Sequence, residues 1–528
     1  MLTRRTLLAA STTSLVAAQT LAATPKGVLV MVKQIDDIIS FDPAESYEFS
    51  NNEVDANCYR RLVRPDLTKG GVLAGDLAES WSVSPDGLTF TFKLRKDGGR
   101  FESGKPVTAD DVAFSLQRVV MLNKTPGFIL TQFGFTKDNV ESAIRAVNET
   151  TVEMKLADVQ ATSFVLYCLS ANVGSIVEKS VVMAHATNGD FGNAWLKTNT
   201  AGAGPYKLTS WQASDSVIID ANPASGIKTG VKRIVIKHVA EPATQLLMLK
   251  KGDADIARDL TADQLRSLTG DKGFTIASSG QATSMYVAMN QAVPVLAIPE
   301  VRQAIKWAID YDAIAKNITP GTWSVDQDFL PRGLPGALTD QPFQKNVGKA
   351  KTLLQQAGLP NGFSCTMDYI SSAPYGDIAQ AIQADLAAIG IKVSLQPGEQ
   401  KQVITKTRAR QHQLAMLVWG SDYFDPNSNA QAFCENPDDS DASKLRILAW
   451  RSHFKDAELT RLSAAAAKEL DPTKRIAMYQ DAQRKFRDRA PFAMLLQKNA
   501  TAVSRKGTDG FVVGPLPDYT HYWTITKS

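Results

Sequence analysis

Apolar and polar positions alternate along this chain with two distinct periods. Val28-Leu29-Val30-Met31-Val32 is a continuous apolar run of strand length. The segment Phe41 to Asn52, with Tyr47, Glu48 and Phe49, breaks every period and reads as a surface-exposed polar loop. Leu77 to Val83, the turn Ser84-Pro85-Asp86-Gly87 and the alternating Phe90-Thr91-Phe92-Lys93-Leu94 predict a hairpin with one buried face. After the Gly104-Lys105-Pro106 turn, Thr108 and Asp111 have capping-box spacing. They open a helix with Val112, Leu116 and Val119 on one side, which has ended by Pro126-Gly127.

Helical stripes recur at Val301, Ile305 and Ala308, and again at Ile378, Ile382, Leu386 and Ile389. The second is stopped by Gly390 and followed by the alternating strand Ile391-Val393-Leu395. Near the end, Asp471 caps a helix with Pro472 at its first position and Ile476, Tyr479, Gln483 and Phe486 along one side. Pro491 then breaks into a strand from Phe492 to Leu496. Helix followed by strand, repeatedly, predicts an α/β architecture, and no internal repeat or low-complexity linker divides the chain.

One stretch combines a buried run with chemistry. Leu414 to Trp419 reads as a strand, and Gly420, Ser421 and the Asp425-Pro426 pair are turn residues, so Asp422 falls where the strand opens into a loop. A carboxylate between Trp419 and Tyr423 suits a cationic ligand group. The same residues also suit a turn cap backed by core aromatics, and spacing leaves both readings open.

With 528 residues, 44% of them hydrophobic, the chain can bury two or three cores. Residues 1–23 stand apart: Arg4-Arg5 precede an apolar small-residue stretch ending at Ala22-Ala23, as in a cleaved export signal of the twin-arginine kind. Later apolar runs are too short to span a bilayer, and no cysteine follows the cleavage region to carry a lipid. Losing Arg4 and Arg5 takes the formal charge from +4 to +2, a balance that offers nothing to nucleic acid or an anionic membrane. Lys401, Lys406, Arg408 and Arg410 read as a solvated face.

Cys58, Cys168, Cys365 and Cys434 lack metal or redox spacing, although an oxidising compartment would permit one or two disulfides. His185, His238, His412, His453 and His521 never occur at zinc-helix spacing, so no metal site and no cofactor is expected. Gly202-Ala203-Gly204 runs into Pro205-Tyr206 without the third glycine of a dinucleotide loop. Asp422 and Asp425, three apart in a loop, do not define the carboxylate gap that glycoside hydrolysis needs, and no nucleophile elbow is present. An enzyme is not expected.

The run from Leu77 to Arg118, with Glu79-Ser80-Trp81, Ser84-Pro85-Asp86-Gly87, Phe92-Lys93-Leu94-Arg95 and Gly104-Lys105-Pro106-Val107-Thr108-Ala109-Asp110-Asp111-Val112, resembles the peptide-type (family 5) extracellular solute-binding proteins of ABC importers. Gly204-Pro205-Tyr206, Lys251-Gly252-Asp253-Ala254-Asp255, Asn290 with Val301-Arg302-Gln303-Ala304-Ile305, and Gly390-Ile391-Lys392-Val393 continue the resemblance in order. It implies a two-lobed periplasmic binding protein of the class II, cluster C type with an extra subdomain in the first lobe. Lobe I would comprise residues 24–281 and 498–528, with the subdomain inserted at about 68–200, and lobe II residues 282–497.

The resemblance further implies that Asp422 pairs with the α-ammonium of a di- or oligopeptide, that Trp419 and Tyr423 wall the pocket, and that Tyr47 and Phe49 face them from the other lobe. It implies an exported monomer serving an inner-membrane permease with separate ATPase subunits. Relatives that carry opines, oligosaccharides or metal complexes, a secreted hydrolase on the same fold and a chemoreceptor-coupled sensor are the alternatives.

Overall fold

The structure, a computed structural model, describes residues 24–66 and 71–528. The export signal expected at residues 1–23 lies outside the described residues. Among those described, no helix is long and apolar enough to cross a membrane.

A large mixed sheet is the framework. On one side the strand Ser364–Ile370 runs parallel to both Lys392–Gly398 and Leu414–Gly420; on the other, Val28–Lys33 runs parallel to both Arg233–His238 and Ile256–Ala257. Two long antiparallel strands, Phe274–Met289 and Phe492–Arg505, pass through both halves and join them. Their pairing loses register between Gly280 and Ser284, midway between the halves. A break there lets the ribbon bend without unpairing either half.

Each half is covered by helices. The stripe Val301, Ile305, Ala308 lies fully buried on the helix Pro299–Ala308, and Ile378, Ile382 and Leu386 on Tyr375–Ala387 pack into the same core against Met367 and Met416. The helix Pro472–Arg489 buries Tyr479, Gln483 and Phe486 as its spacing predicts, with Asp471 capping the amides of Thr473 and Lys474.

The expected hairpin forms as Ala78–Val83 and Thr89–Leu94, within a separate four-stranded antiparallel sheet. Phe90 and Phe92 pack there against Val112, Leu116 and Val119 of the helix Ala109–Leu122. The Thr108–Asp111 capping box closes that helix's amino end. Gly204 is fixed by close approach, since a Cβ there would collide with the Cys58 backbone.

Two expectations are corrected. The segment from Phe41 is mostly buried and turns helical at Phe49, because Asp42 takes two 2.6 Å hydrogen bonds from the buried Arg118 and anchors the loop inside. The basic cluster is not a uniform solvated face. Lys406 pairs with the buried Asp368 at 2.7 Å and Arg410 pairs with Asp439, leaving Lys401 and Arg408 in solvent. No cysteines pair: all four are buried thiols, each in a different apolar core.

Candidate functional site

The strand Leu414–Gly420 ends beside the register break, with Gly420 directly opposite Thr283. The Ser421 amide donates to Ala282 O at 2.8 Å and the Asp422 amide to Ser428 Oγ at 2.8 Å, so local bonds fix the backbone at Asp422. Asp425 then caps the helix Pro426–Cys434, accepting from the Asn427 amide at 2.9 Å. Its carboxylate also takes 2.7 and 2.9 Å bonds from Arg475, whose Nη1 donates to Ser163 Oγ at 3.0 Å. Asp425 is therefore a scaffold residue with both carboxylate oxygens committed.

Asp422 has a different environment. Its carboxylate accepts a 2.5 Å hydrogen bond from the Tyr47 hydroxyl, and no lysine, arginine or histidine pairs with it among the described residues. Enclosure by the surrounding protein pushes its acid up to about 6, with the Tyr47 hydrogen bond pulling the other way. Tyr47 is raised in turn, first by burial and then by the Asp422 charge.

Phe49, 51% exposed, lays its ring over Gly420. A Cβ at Gly420 would stand 3.1 Å from Phe49 Cζ, so any side chain there would displace the ring. Phe128, 39% exposed, meets Tyr47 edge-on at 6.3 Å.

Tyr47, Phe49, Gly420 and Asp422 thus converge from the two halves of the molecule. Strand alternation sends the half-buried Trp419 to the opposite face, edge-on to Phe433 at 6.4 Å, with its indole N–H buried and unpartnered. Tyr423 is set apart. At 1% exposure it packs on Phe164 at 5.7 Å inside the core of the smaller sheet, so it braces the loop instead of walling the crevice.

Sequence reasoning did not supply Arg475 or Phe128, whose contacts with the site span separations that no local pattern encodes. The charge nearby on the other half is also committed. Glu53 accepts from Lys33 at 3.2 Å, Arg258 at 2.5 Å and the Tyr522 hydroxyl at 2.7 Å. Burial works against its charge, yet Arg258 and Lys33 prevail and hold it at about 2. Among the described residues no group of three or more metal-ligating side chains is assembled.

Residues 72–441 match the family described as bacterial extracellular solute-binding proteins, family 5 Middle. The chain is 31% identical over 501 residues to the probable D,D-dipeptide-binding periplasmic protein DdpA of Escherichia coli (strain K12), covering 94% of this chain and 93% of that one. It is 27% identical to the dipeptide-binding protein of the same strain, over 87% of each. The solved structure of the periplasmic binding protein DppA from Helicobacter pylori, in complex with the peptide STSA, superposes with a TM-score of 0.77 at 24% identity over 95% of this chain and 98% of that one.

Proposed function

The chain belongs to the bacterial extracellular solute-binding proteins of family 5, and from that premise we propose that it captures a free-amine di- or oligopeptide between two closing lobes and delivers it to an ABC importer. The observation that carries the reading is Asp422, an enclosed carboxylate without a cationic partner, bridged by Tyr47 from the opposite half. Its protein surroundings disfavour the charge, and a ligand ammonium would restore it. A charge pair formed as the lobes exclude water is far stronger than one at a surface.

Phe49 supplies the apolar contact beside that ammonium. The lobes divide as 24–281 with 498–528, carrying the subdomain at about 68–200, and 282–497. They close about the register break of the two shared strands. The protein works as a monomer in the periplasm, reached by the twin-arginine route with cleavage near Ala22 or Ala23, and hands its solute to a permease driven by separate ATPase subunits. It carries out no chemistry on the solute.

The test is mass spectrometry of the small molecule released on denaturing protein purified from the periplasm, followed by calorimetry with that peptide and its N-acetylated form. Recovery of a peptide whose acetylation abolishes binding is the expected result. A ligand without a free amine, or turnover of the peptide, overturns the reading.

A further inference from the structure

A second charged group faces the same crevice, and nothing in the protein uses it. Lys498 sits on the shared strand Phe492–Arg505 where the two halves meet. Gly420 stands opposite Thr283, and Ser284 stands opposite Gln497. Because side chains alternate along each strand, Gln497 points away from the Thr283 face and Lys498 points towards it. That is the face on which Phe49 lies, since a Cβ on Gly420 would meet both Phe49 Cζ at 3.1 Å and Thr283 Oγ1 at 3.7 Å. The neighbours confirm the alternation: Gln497 Nε2 donates to Gln281 O and Arg332 O at 2.9 and 2.8 Å, and the two flanking amides, Gln497 and Asn499, line a common pocket with Gly280.

The Lys498 ammonium makes no hydrogen bond or ion pair among the described residues, whereas every charge around it is engaged. Lys33 and Arg258 are spent on Glu53, and Asp259 accepts from the Gln34 amide at 2.7 Å and Gln245 Nε2 at 3.1 Å. The Lys498 side chain is open to solvent, yet its ammonium is held below the usual lysine range, first by desolvation and further by Lys33 and Arg258, with Asp259 opposing them.

The strands bearing Gly420 and Lys498 are two spacings apart, roughly 10 Å. Asp422 follows Gly420 by two residues, and the lysine stem spans part of the remaining gap. An extended dipeptide covers about 7 Å.

We propose that Lys498 receives the carboxylate of the solute, so that the crevice reads a short zwitterion, its ammonium on Asp422 and its carboxylate on Lys498, and favours free-ended dipeptides over longer or C-terminally blocked ones. This rests on the peptide reading above. It adds a determinant at the joint between the lobes, where a ligand bridging Asp422 and Lys498 ties lobe II to the shared strand and so favours the closed arrangement.

The test is calorimetry of wild type, Lys498→Met and Lys498→Arg with alanyl-alanine in its L,L and D,D forms, each as free acid, C-terminal amide and N-acetyl derivative. Wild type should prefer a free acid over its amide by at least about 30-fold. Lys498→Met should bind acid and amide alike, Lys498→Arg should keep the preference, and thermal unfolding of both variants should match wild type, as expected for an open side chain. If wild type holds acid and amide equally, or Lys498→Met still discriminates, the role of Lys498 is overturned while loss of the N-acetyl form still supports Asp422. If wild type binds neither dipeptide in any form yet binds the free-amine peptide recovered from the periplasm, the role of Lys498 is overturned and the peptide reading stands.

Discussion

Two carboxylates three residues apart in one turn have opposite fates. Asp425 is completely buried, caps a helix and is gripped by both Nη atoms of Arg475; Asp422 is equally fixed in its backbone but has only a tyrosine hydroxyl on its carboxylate. Burial alone therefore does not mark a functional acid in this protein. What separates the two is whether the fold supplies the counter-charge. Asp425 is satisfied from within, whereas Asp422 has no paired cation among the described residues, which is the ground for the proposed ligand contact.

Breaking the satisfied acid should have the largest effect. Arg475→Met leaves Asp425 buried and unpaired, and denaturant unfolding should show a loss of about 3–5 kcal/mol. Asp422→Asn should behave in the reverse way. Its folded-state acid is raised to about 6, so the folded protein holds that proton more tightly than the unfolded chain, and the contribution to stability is full below the unfolded value and lost as pH rises through 6. Removing the charge should leave stability at pH 7 unchanged or higher, while calorimetry with a free-amine dipeptide shows affinity down by roughly 30-fold to several thousandfold.

A smaller effect follows from the same raised value. Protonated Asp422 cannot pair with an ammonium, so wild-type affinity for that dipeptide should fall about tenfold per pH unit below about 6, and Asp422→Asn should show a flat profile across the same range. Tyr47→Phe should be the mildest change. Its hydrogen bond lowers the Asp422 acid, so losing it moves the midpoint of that pH profile upward, with affinity at pH 8 within about tenfold of wild type. A midpoint that stays in place would mean that Tyr47 does not govern the charge on Asp422.

Much of the fold was legible because it is written in short range. The Thr108–Asp111 box, the stripe from Ile378 to Leu386 and the Asp471-Pro472 start all follow from residues within a few turns of one another, and each element formed where its spacing indicates. The site was legible as far as Asp422, which a strand end and a turn signal mark locally. Its proposal as a ligand-facing acid depends on Tyr47, 375 residues away, and on the lack of a paired cation among the described residues, neither of which a local pattern can encode. Tyr423 shows the cost of local reading: adjacent to Asp422 in sequence, it points into the core of the smaller sheet because that core lies on the other side of the loop. The loop from Phe41 departs from its local pattern for the same reason, its Asp42 being held inside by Arg118 and Asn193, distant in sequence.

The four unpaired cysteines give the molecule an unplanned set of clocks. Cys58, Cys168, Cys365 and Cys434 each sit in a separate core, and burial raises every one of these thiols above its ordinary range. None can react with a labelling reagent until its own region opens, so four rates of modification, read peptide by peptide, time the breathing of four parts of one chain separately. A solute that clasps two of those parts together would slow the clocks unequally, and the pattern of slowing would map where it is held.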